Sequence, residues 1–282
     1  MFLYSEKRGI CYRKKLGYDS RLITRTIHRV NMTRIAILSD IHANLPALEA
    51  VVRDIQSRHI DTTVVLGDLL SGPLWPVETA RFLMRQDWVM VAGNHDRLLV
   101  QGDNAAIGPA DELANASISP EQRDWLCSLP SSRTLFEDMR LFHGTPQTDT
   151  AYLTETIAHG RMHLSPLPEI ESRLDGLKQR VFLCGHSHTP RLIRLSGNTV
   201  IINPGSVGLP AFFNPSPEAH CVETGSPDAR YSILTLTDRE PMVEFIPVPY
   251  DHQSAADRAR ENGQSSCAAW LRTGFVEQED RP

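Results

Sequence analysis

The chain has little that would tie it to an oxidising compartment, a membrane or a polyanion. Its five cysteines, Cys11, Cys127, Cys184, Cys221 and Cys267, are odd in number, scattered and without a C-x-x-C pair. That usage argues against a disulfide framework and a thiolate zinc site, and predicts a reducing cytoplasm. No apolar run approaches the roughly 18 residues that a membrane span needs. A formal charge of −5 over 282 residues lacks the basic excess of a nucleic-acid-binding domain, and no internal repeat is visible. What is there is the balance of an ordinary globular protein, 41% apolar and 22% charged, over a length that allows one large domain or two small ones.

Positive charge is concentrated at one end. Residues 1–31 carry Lys7, Arg8, Arg13, Lys14, Lys15, Arg21, Arg25 and Arg29 against only Glu6 and Asp19, a balance that the remainder reverses. The segment has no apolar centre of roughly 7 to 15 residues, so it does not read as a secretory signal. A basic arm for nucleic acid or membrane competes with a disordered extension, and the extension is the reading expected. Met32, shortly before the first apolar run, is a candidate natural start.

Beyond it, short apolar runs end abruptly in donor residues. Ile35 to Leu38 reads as a buried strand that stops at Asp40, Ile41, His42, after which Asn44 and Pro46 open a helix with Leu45, Leu48, Val51, Val52 and Ile55 at helical spacing. Thr62 to Leu66 is a β-branched run that stops at Gly67, Asp68 and completes a βαβ unit. Val77 to Met84 reads as the next helix, and Trp88 to Val91 as a strand ending in Gly93, Asn94, His95, Asp96. From Arg97 to Leu129 the helical pattern is broken by Gly102, Gly108, Pro109 and Pro120, which predicts short helices outside the sheet. Thr134 to Glu137 and Arg140 to Phe142 form a hairpin-like pair that delivers His143 and Gly144, followed by a loop and helical stretch reaching Gln179. Val181 to Leu183 runs into Cys184, Gly185, His186, Ser187, His188. Residues i and i+2 share a side of an extended chain, so both imidazoles lean toward one point just past the strand. Arg191 to Leu195 and Thr199 to Ile202 flank a turn, Tyr231 to Leu236 and Val243 to Ile246 close the strand count, and Ala255 to Arg260 with Ala268 to Leu271 reads as a broken terminal helix.

Taken singly these strand ends are ambiguous, since a Gly-Asp is usually a turn and an Asn-His a surface loop. Their order decides otherwise, because ligands in open α/β sheets collect at the carboxyl ends of strands. Asp40, His42, Asp68, Asn94, His143, His186 and His188 are seven donors, more than one ion takes from protein while keeping an open position. They suit two adjacent ions that share a carboxylate, for which Asp68 is the natural bridge.

In order from Asp40 to His188 the pattern D-x-H, G-D, G-N-H-D, H, G-H-x-H resembles that of the calcineurin-like metallophosphoesterases. The resemblance spans Arg34 to about Ile246. It is strongest for the smaller bacterial and archaeal phosphodiesterase-like branch, whose closing motif Asn203-Pro204-Gly205-Ser206-Val207-Gly208 is similar to. It implies a four-layer α-β-β-α sandwich of two mixed sheets, with the metallophosphoesterase domain over 32–250 and a C-terminal helical segment and tail over 251–282. It also implies two divalent ions, one held by Asp40, His42 and His188, the other by Asn94, His143 and His186, with Asp68 shared. Mixed imidazole and carboxylate donors accept manganese, iron, zinc, cobalt or nickel.

The activity implied is hydrolysis of a small phosphoester or nucleotide-like substrate by a metal-bridging hydroxide. His95 stands beside the ions to protonate the departing oxygen or offset its charge. Asp96 is open to two readings, orienting His95 or serving as a helix N-terminal carboxylate. His28, His59, His159, His163, His220 and His252 lie outside every motif and are read as surface or structural.

Where the Ser/Thr phosphatase branch has G-D-x-x-D-R-G, Ser71 and Gly72 stand in place of the acid and the arginine. The absent clamp favours a phosphodiester over a phosphomonoester, with Trp75 able to contact the second organic group and Arg97 the candidate that would reverse the preference. A non-catalytic binding scaffold of the same fold is the remaining alternative, but such proteins lack several donors and this chain has all of them. Between Gly208 and Tyr231 the chain reads as irregular, either a substrate-edge loop or a disordered insertion.

Overall fold

Strand β1 (Thr33–Leu38) separates two apolar cores by simple alternation: Ile35 and Ile37 face one, Ala36 and Leu38 the other. The computed structural model in which this is seen describes residues 32–101, 107–216, 218–237, 240–278 and 281. The basic extension expected over 1–31 lies outside the described residues. After β1 come α1 (Leu45–Gln56), β2 (Thr62–Val65), α2 (Pro76–Leu83), β3 (Val89–Met90) and α3 (Asn94–Gln101). The Asn44 side chain accepts from the Ala47 N–H and Pro46 occupies the first turn of α1, as the sequence predicts. Two short helices follow, α4 (Pro109–Ser117) and α5 (Pro120–Ser128), then the hairpin β4 (Ser132–Leu135) and β5 (Met139–Phe142). The second half runs β6 (Glu155–Ala158), β7 (Arg161–Leu164), α6 (Leu167–Arg173), β8 (Val181–Leu183), β9 (Arg191–Arg194), β10 (Val200–Asn203), β11 (Ala211–Asn214) and β12 (His220–Glu223). Strands β13 (Ala229–Leu236) and β14 (Met242–Val248) and helices α7 (His252–Glu261) and α8 (Ser265–Thr273) complete it.

Two mixed sheets, ordered β14-β13-β1-β2-β3 and β4-β5-β8-β10-β9, lie face to face. Ile37, Val64, Leu66 and Val91 from the first meet Met139, Leu141, Leu183 and Ile202 from the second in one buried cluster. The outer face of the first sheet, with Leu38, Val65 and Ile233, is covered by Leu48, Val51 and Leu83 of α1 and α2. The outer face of the second, with Phe142, Phe182 and Ile201, packs on Ile170 and Leu174 in and just after α6. That is the expected four-layer sandwich. In each sheet three strands run parallel and in register, Leu38 beside Val65 beside Met90 and Leu141 beside Leu183 beside Ile202. Six carboxyl ends therefore reach the same edge of the sandwich, and the donor residues follow them.

A third sheet, β11-β12-β7-β6, was not visible in the sequence. Its β6–β7 hairpin lies in the stretch read as loop and helix, and β11–β12 in the stretch read as irregular. The hairpin turns on His159 (φ 53°) and Gly160 (φ 70°), both left-handed as a two-residue type I′ turn requires. His-Gly takes the place of the Asn-Gly that announces such a turn. Strand β7 is largely exposed and shows no apolar alternation, and β12 joins it in parallel from far along the chain, at Cys221 opposite Arg161. Helices α7 and α8 pack small residues, Ala255, Ala256, Ala259 and Ala268, around Ala43 and Leu74. Among the described residues no helix is long and apolar enough to cross a membrane.

Leu141 is fully buried between the sheets. Leu141→Ala should lower unfolding free energy by about 2–5 kcal/mol in a urea titration, and a loss below about 1 kcal/mol would contradict this account of the inter-sheet core.

Candidate metal centre

Five of the seven predicted donors sit in left-handed backbone: Asp40 (φ 55°), His42 (48°), Asp68 (54°), His186 (67°) and His188 (52°). Each such residue without glycine's freedom carries strain on the order of 1 kcal/mol, held only because the surrounding structure over-determines it. The strained turns swing side chains from the strand ends inward to one point. Two glycines make the convergence possible. A Cβ on Gly185 would strike the Ser39 hydroxyl and come within 2.9 Å of Asp40 Oδ2. One on Gly93 would stand 2.6 Å from the Asp68 amide nitrogen and against its carboxylate.

Two donor groups result, Asp40–His42–His188 and Asp68–His143–His186, and within each the ligand-type atoms lie within 4.8 Å of one another. In the first, His188 Nε2 is 3.2 Å from both Asp40 Oδ1 and His42 Nε2. In the second, His143 Nε2 is 3.1 Å from Asp68 Oδ2. The groups touch. Asp68 Oδ2 is also 4.0 Å from His42 Nε2, and Asp40 Oδ1 is 3.9 Å from His143 Nε2. Asp68 thus stands between the two sets. Asn94 is buried and lines the same cleft.

The far side of each ring is anchored. His143 Nδ1 donates to the Leu66 carbonyl (2.7 Å) and His188 Nδ1 to the Leu209 carbonyl (2.8 Å), so the proton is fixed there and each Nε2 turns to the centre. His42 Nδ1 meets the Ser71 hydroxyl at 2.9 Å and its carbonyl at 3.2 Å, which gives Ser71 a duty that no motif announces.

These residues fit a pair of divalent ions. Asn94 Oδ1 is buried with no hydrogen-bond partner, and Asp40 Oδ1 and His143 Nε2, though close to His188 and Asp68, lack hydrogen-bond geometry, a rare state that cations at this point would relieve. Burial would raise the Asp40 pKa, but His188 and His143 outweigh it and hold the carboxyl at about 2. Burial likewise opposes ionisation of Asp68, and His143 and His95 hold it well below the usual range. Burial, then the neighbouring imidazoles, push His42 down to about 3 and His186 to about 4. His143 goes the other way, to about 10, because Asp68 and Asp40 outweigh its burial.

His95 caps the arrangement. Its backbone N–H donates to Asp68 Oδ1 (3.0 Å), its ring stands edge-on to His42 at 5.6 Å, and its Nδ1 is 2.8 Å from Asp111 Oδ2. Burial opposes its charge, yet Asp68 and Asp111 raise its pKa to about 9. Asp96 does not orient His95. Its Oδ1 accepts from the Leu69 N–H (2.9 Å) and its Oδ2 from the Gly93 N–H (3.0 Å), clamping the Gly-Asp loop to the Asn-His loop. The partner of His95 is Asp111 in the first turn of α4, which no motif signals.

The centre opens into a cavity of about 1100 Å³ whose floor includes His42, Asp68, Asn94, His95, His186 and His188. Two expectations about its surroundings are corrected. Arg97 is locked to Asp149 by a two-pronged ion pair (2.7 and 2.9 Å) and does not line the cavity. Trp75 packs in the α7–α8 cluster with Arg258 over its ring, so it too is turned away. Their places are taken by Tyr152, Phe212, Phe213 and Trp270, from the third sheet, the segment before it, and α8. His220 is buried and lines the cavity, its Nε2 accepting from the Tyr152 hydroxyl at 2.9 Å.

Residues 33–226 match the model of the calcineurin-like phosphoesterase superfamily domain, and the chain belongs to that superfamily. It is similar to a metallophosphoesterase from Sphaerobacter thermophilus known from its crystal structure, with a TM-score of 0.68 and 26% identity over 87% of this chain and 100% of that one. An uncharacterised protein of Methanocaldococcus jannaschii is 26% identical over 250 residues, 81% of this chain and 92% of its own length.

Asp68→Asn should remove at least one ion per chain from metal-reconstituted protein by elemental analysis, with the circular dichroism spectrum kept, because a neutral amide bridges cations poorly. Full metal content in that variant would contradict the shared position. Metal affinity should weaken as pH falls from about 7.5 to about 5.5, since imidazoles bind ions only when deprotonated. His143, protonated up to about 10 without an ion, makes protons compete above neutrality as well, so affinity should keep rising there. A dissociation constant that is flat with pH would show that these imidazoles are not ligands.

Proposed function

We propose that the protein is a dinuclear metal-dependent phosphodiesterase. Asp40, His42 and His188 would hold one ion, Asn94, His143 and His186 the other, and Asp68 both. When bound, such ions supply the Lewis acidity that activates an attacking water and offsets charge on the phosphoryl oxygens. The chain's own residues do the rest. Carbonyls and Ser71 keep the imidazoles turned inward. Asp111 accepts from His95 Nδ1 and leaves Nε2 to deliver a proton to the departing oxygen.

The preference for diesters rests on one observation. Among the described residues lining the cavity the only guanidinium or ammonium is that of Arg173, and both its terminal amino groups are engaged. Its Nη1 donates to the carbonyls of Tyr152 (3.1 Å), Leu153 (3.0 Å) and Glu155 (2.9 Å), and its Nη2 to Thr156 and Glu169. With Arg97 also committed, the ions and the His95 imidazole beside them meet phosphoryl charge, and no guanidinium fork is free for a second one. A singly charged diester suits that arrangement better than a monoester near two charges. A cytoplasmic location belongs to this reading and rests on the odd, scattered cysteines of the sequence.

With the same metal, kcat/KM for bis-p-nitrophenyl phosphate should exceed that for p-nitrophenyl phosphate, and a clear monoester preference would overturn the diesterase reading. His95→Ala should keep its metal but lose about a hundredfold or more in kcat, most for esters with basic leaving groups. Equal losses across leaving groups would remove the acid role from His95.

A further inference from the structure

The cavity is far larger than a phosphodiester group, at the upper end of the range for sites that enclose a drug-sized organic ligand. Its polar floor and its walls differ in kind. Leu98, Ile157, Phe213 and Trp270 all line it and all remain partly exposed, so apolar surface here is left uncovered by the protein itself. Tyr152 adds a rigid ring. Its hydroxyl donates to His220 Nε2, His220 Nδ1 is fixed on the Glu218 carbonyl at 2.6 Å, and the ring lies over His186 at 4.8 Å.

Charge on the walls is either spent or negative. Arg173 is engaged by carbonyls and Glu169, Glu155 is paired with Arg191 at 3.1 Å, and Asp111 with His95. Glu218 stands exposed at the rim. A second anionic group on a substrate would find no cation there.

We propose that the substrate carries a single phosphodiester charge and an uncharged, flat or apolar organic group, seated against Trp270 of α8 and Phe213 of β11. This rests on the diesterase reading and narrows it by excluding esters with further phosphates. Trp270 lies beyond residue 226, where the superfamily domain ends, so selectivity is supplied by a helix outside that match. Its neighbour β11 belongs to the third sheet, and α8 packs against it.

The test uses the metal-loaded full chain and esters with one leaving group, p-nitrophenolate. Phenyl p-nitrophenyl phosphate should have a KM about tenfold below that of methyl p-nitrophenyl phosphate, as expected for burial of one ring. Trp270→Ala and Phe213→Ala should each shrink that ratio severalfold with metal content and kcat kept, and Trp270→Phe should restore most of it. Because the two alanine variants lie on different elements, a shared loss is not a defect of α8 folding. Adding a 3′-phosphate to thymidine 5′-p-nitrophenyl phosphate should lower kcat/KM. Equal KM values for phenyl and methyl esters, a ratio untouched by both variants, or faster turnover of the 3′-phosphorylated ester would overturn the proposal. If monoesters prove the better substrates, the diesterase reading fails and takes the single-charge part of the proposal with it, leaving the apolar wall to be tested. The wall is then judged by inhibition with phenylphosphonate against methylphosphonate, whose ratio must still fall in both variants or the proposal falls with it.

Discussion

Two buried carboxylates, Asp40 and Asp68, set the terms for the rest of this structure. At 0% and 1% exposure, neither charge would be tolerable alone in the interior. Each is met first by backbone: the His186 N–H donates to Asp40 Oδ2 at 3.2 Å and the His95 N–H to Asp68 Oδ1 at 3.0 Å. Each is then ringed by imidazoles whose outer nitrogens are pinned to carbonyls or to Ser71. The pairing is incomplete, since Asn94 Oδ1 lacks a hydrogen-bond partner and Asp40 Oδ1 and His143 Nε2 have only close contacts with His188 and Asp68, a deficit that suits cations where the two donor groups meet.

The sandwich serves this constraint. Parallel strands in each sheet carry their carboxyl ends to one edge, and the inter-sheet core of Ile37, Leu66, Leu141 and Leu183 holds the two edges in register. Asp96 adds a local brace by joining two loops through backbone N–H groups. Burial and the nearby Asp68 push its own pKa up to about 7, so the brace is itself costly to ionise and depends on those two donors. Strain at five donor positions is supported by this framework, which links inter-sheet packing to ligand geometry.

Most of that centre was legible in the sequence because an apolar run ending in Asp-x-His or Gly-His-x-His carries both the strand and the donor in a few residues. What was not legible lies where the signal is long-range. Asp111 reaches His95 from a helix that starts after Gly108-Pro109, with no spacing rule to connect them. The third sheet hides behind short, exposed strands and a His-Gly turn, so Tyr152 gives no signal, and Phe213 and His220 fall in a stretch legible only as a substrate-edge loop or an insertion. Trp75 is near Asp68 in sequence alone, whereas Trp270, some two hundred positions beyond Asp68, is the tryptophan that folds into the cavity. Arg97 looked available beside its motif and is held by Asp149, a partner that only the tertiary fold supplies.

On the reading proposed above, labour divides between a metal centre made by the two large sheets and a selective wall made by the third sheet and α8. The donors of the first and the strands of the third sheet lie within residues 33–226, which match the superfamily domain, and α8 lies beyond them. In the function proposed above, Asp68 is shared between two ions. An anomalous difference map from crystals loaded with manganese tests it directly. Two peaks, both within bonding distance of the Asp68 carboxylate, are expected; a single peak at full loading, or a pair that leaves Asp68 untouched, would contradict the account.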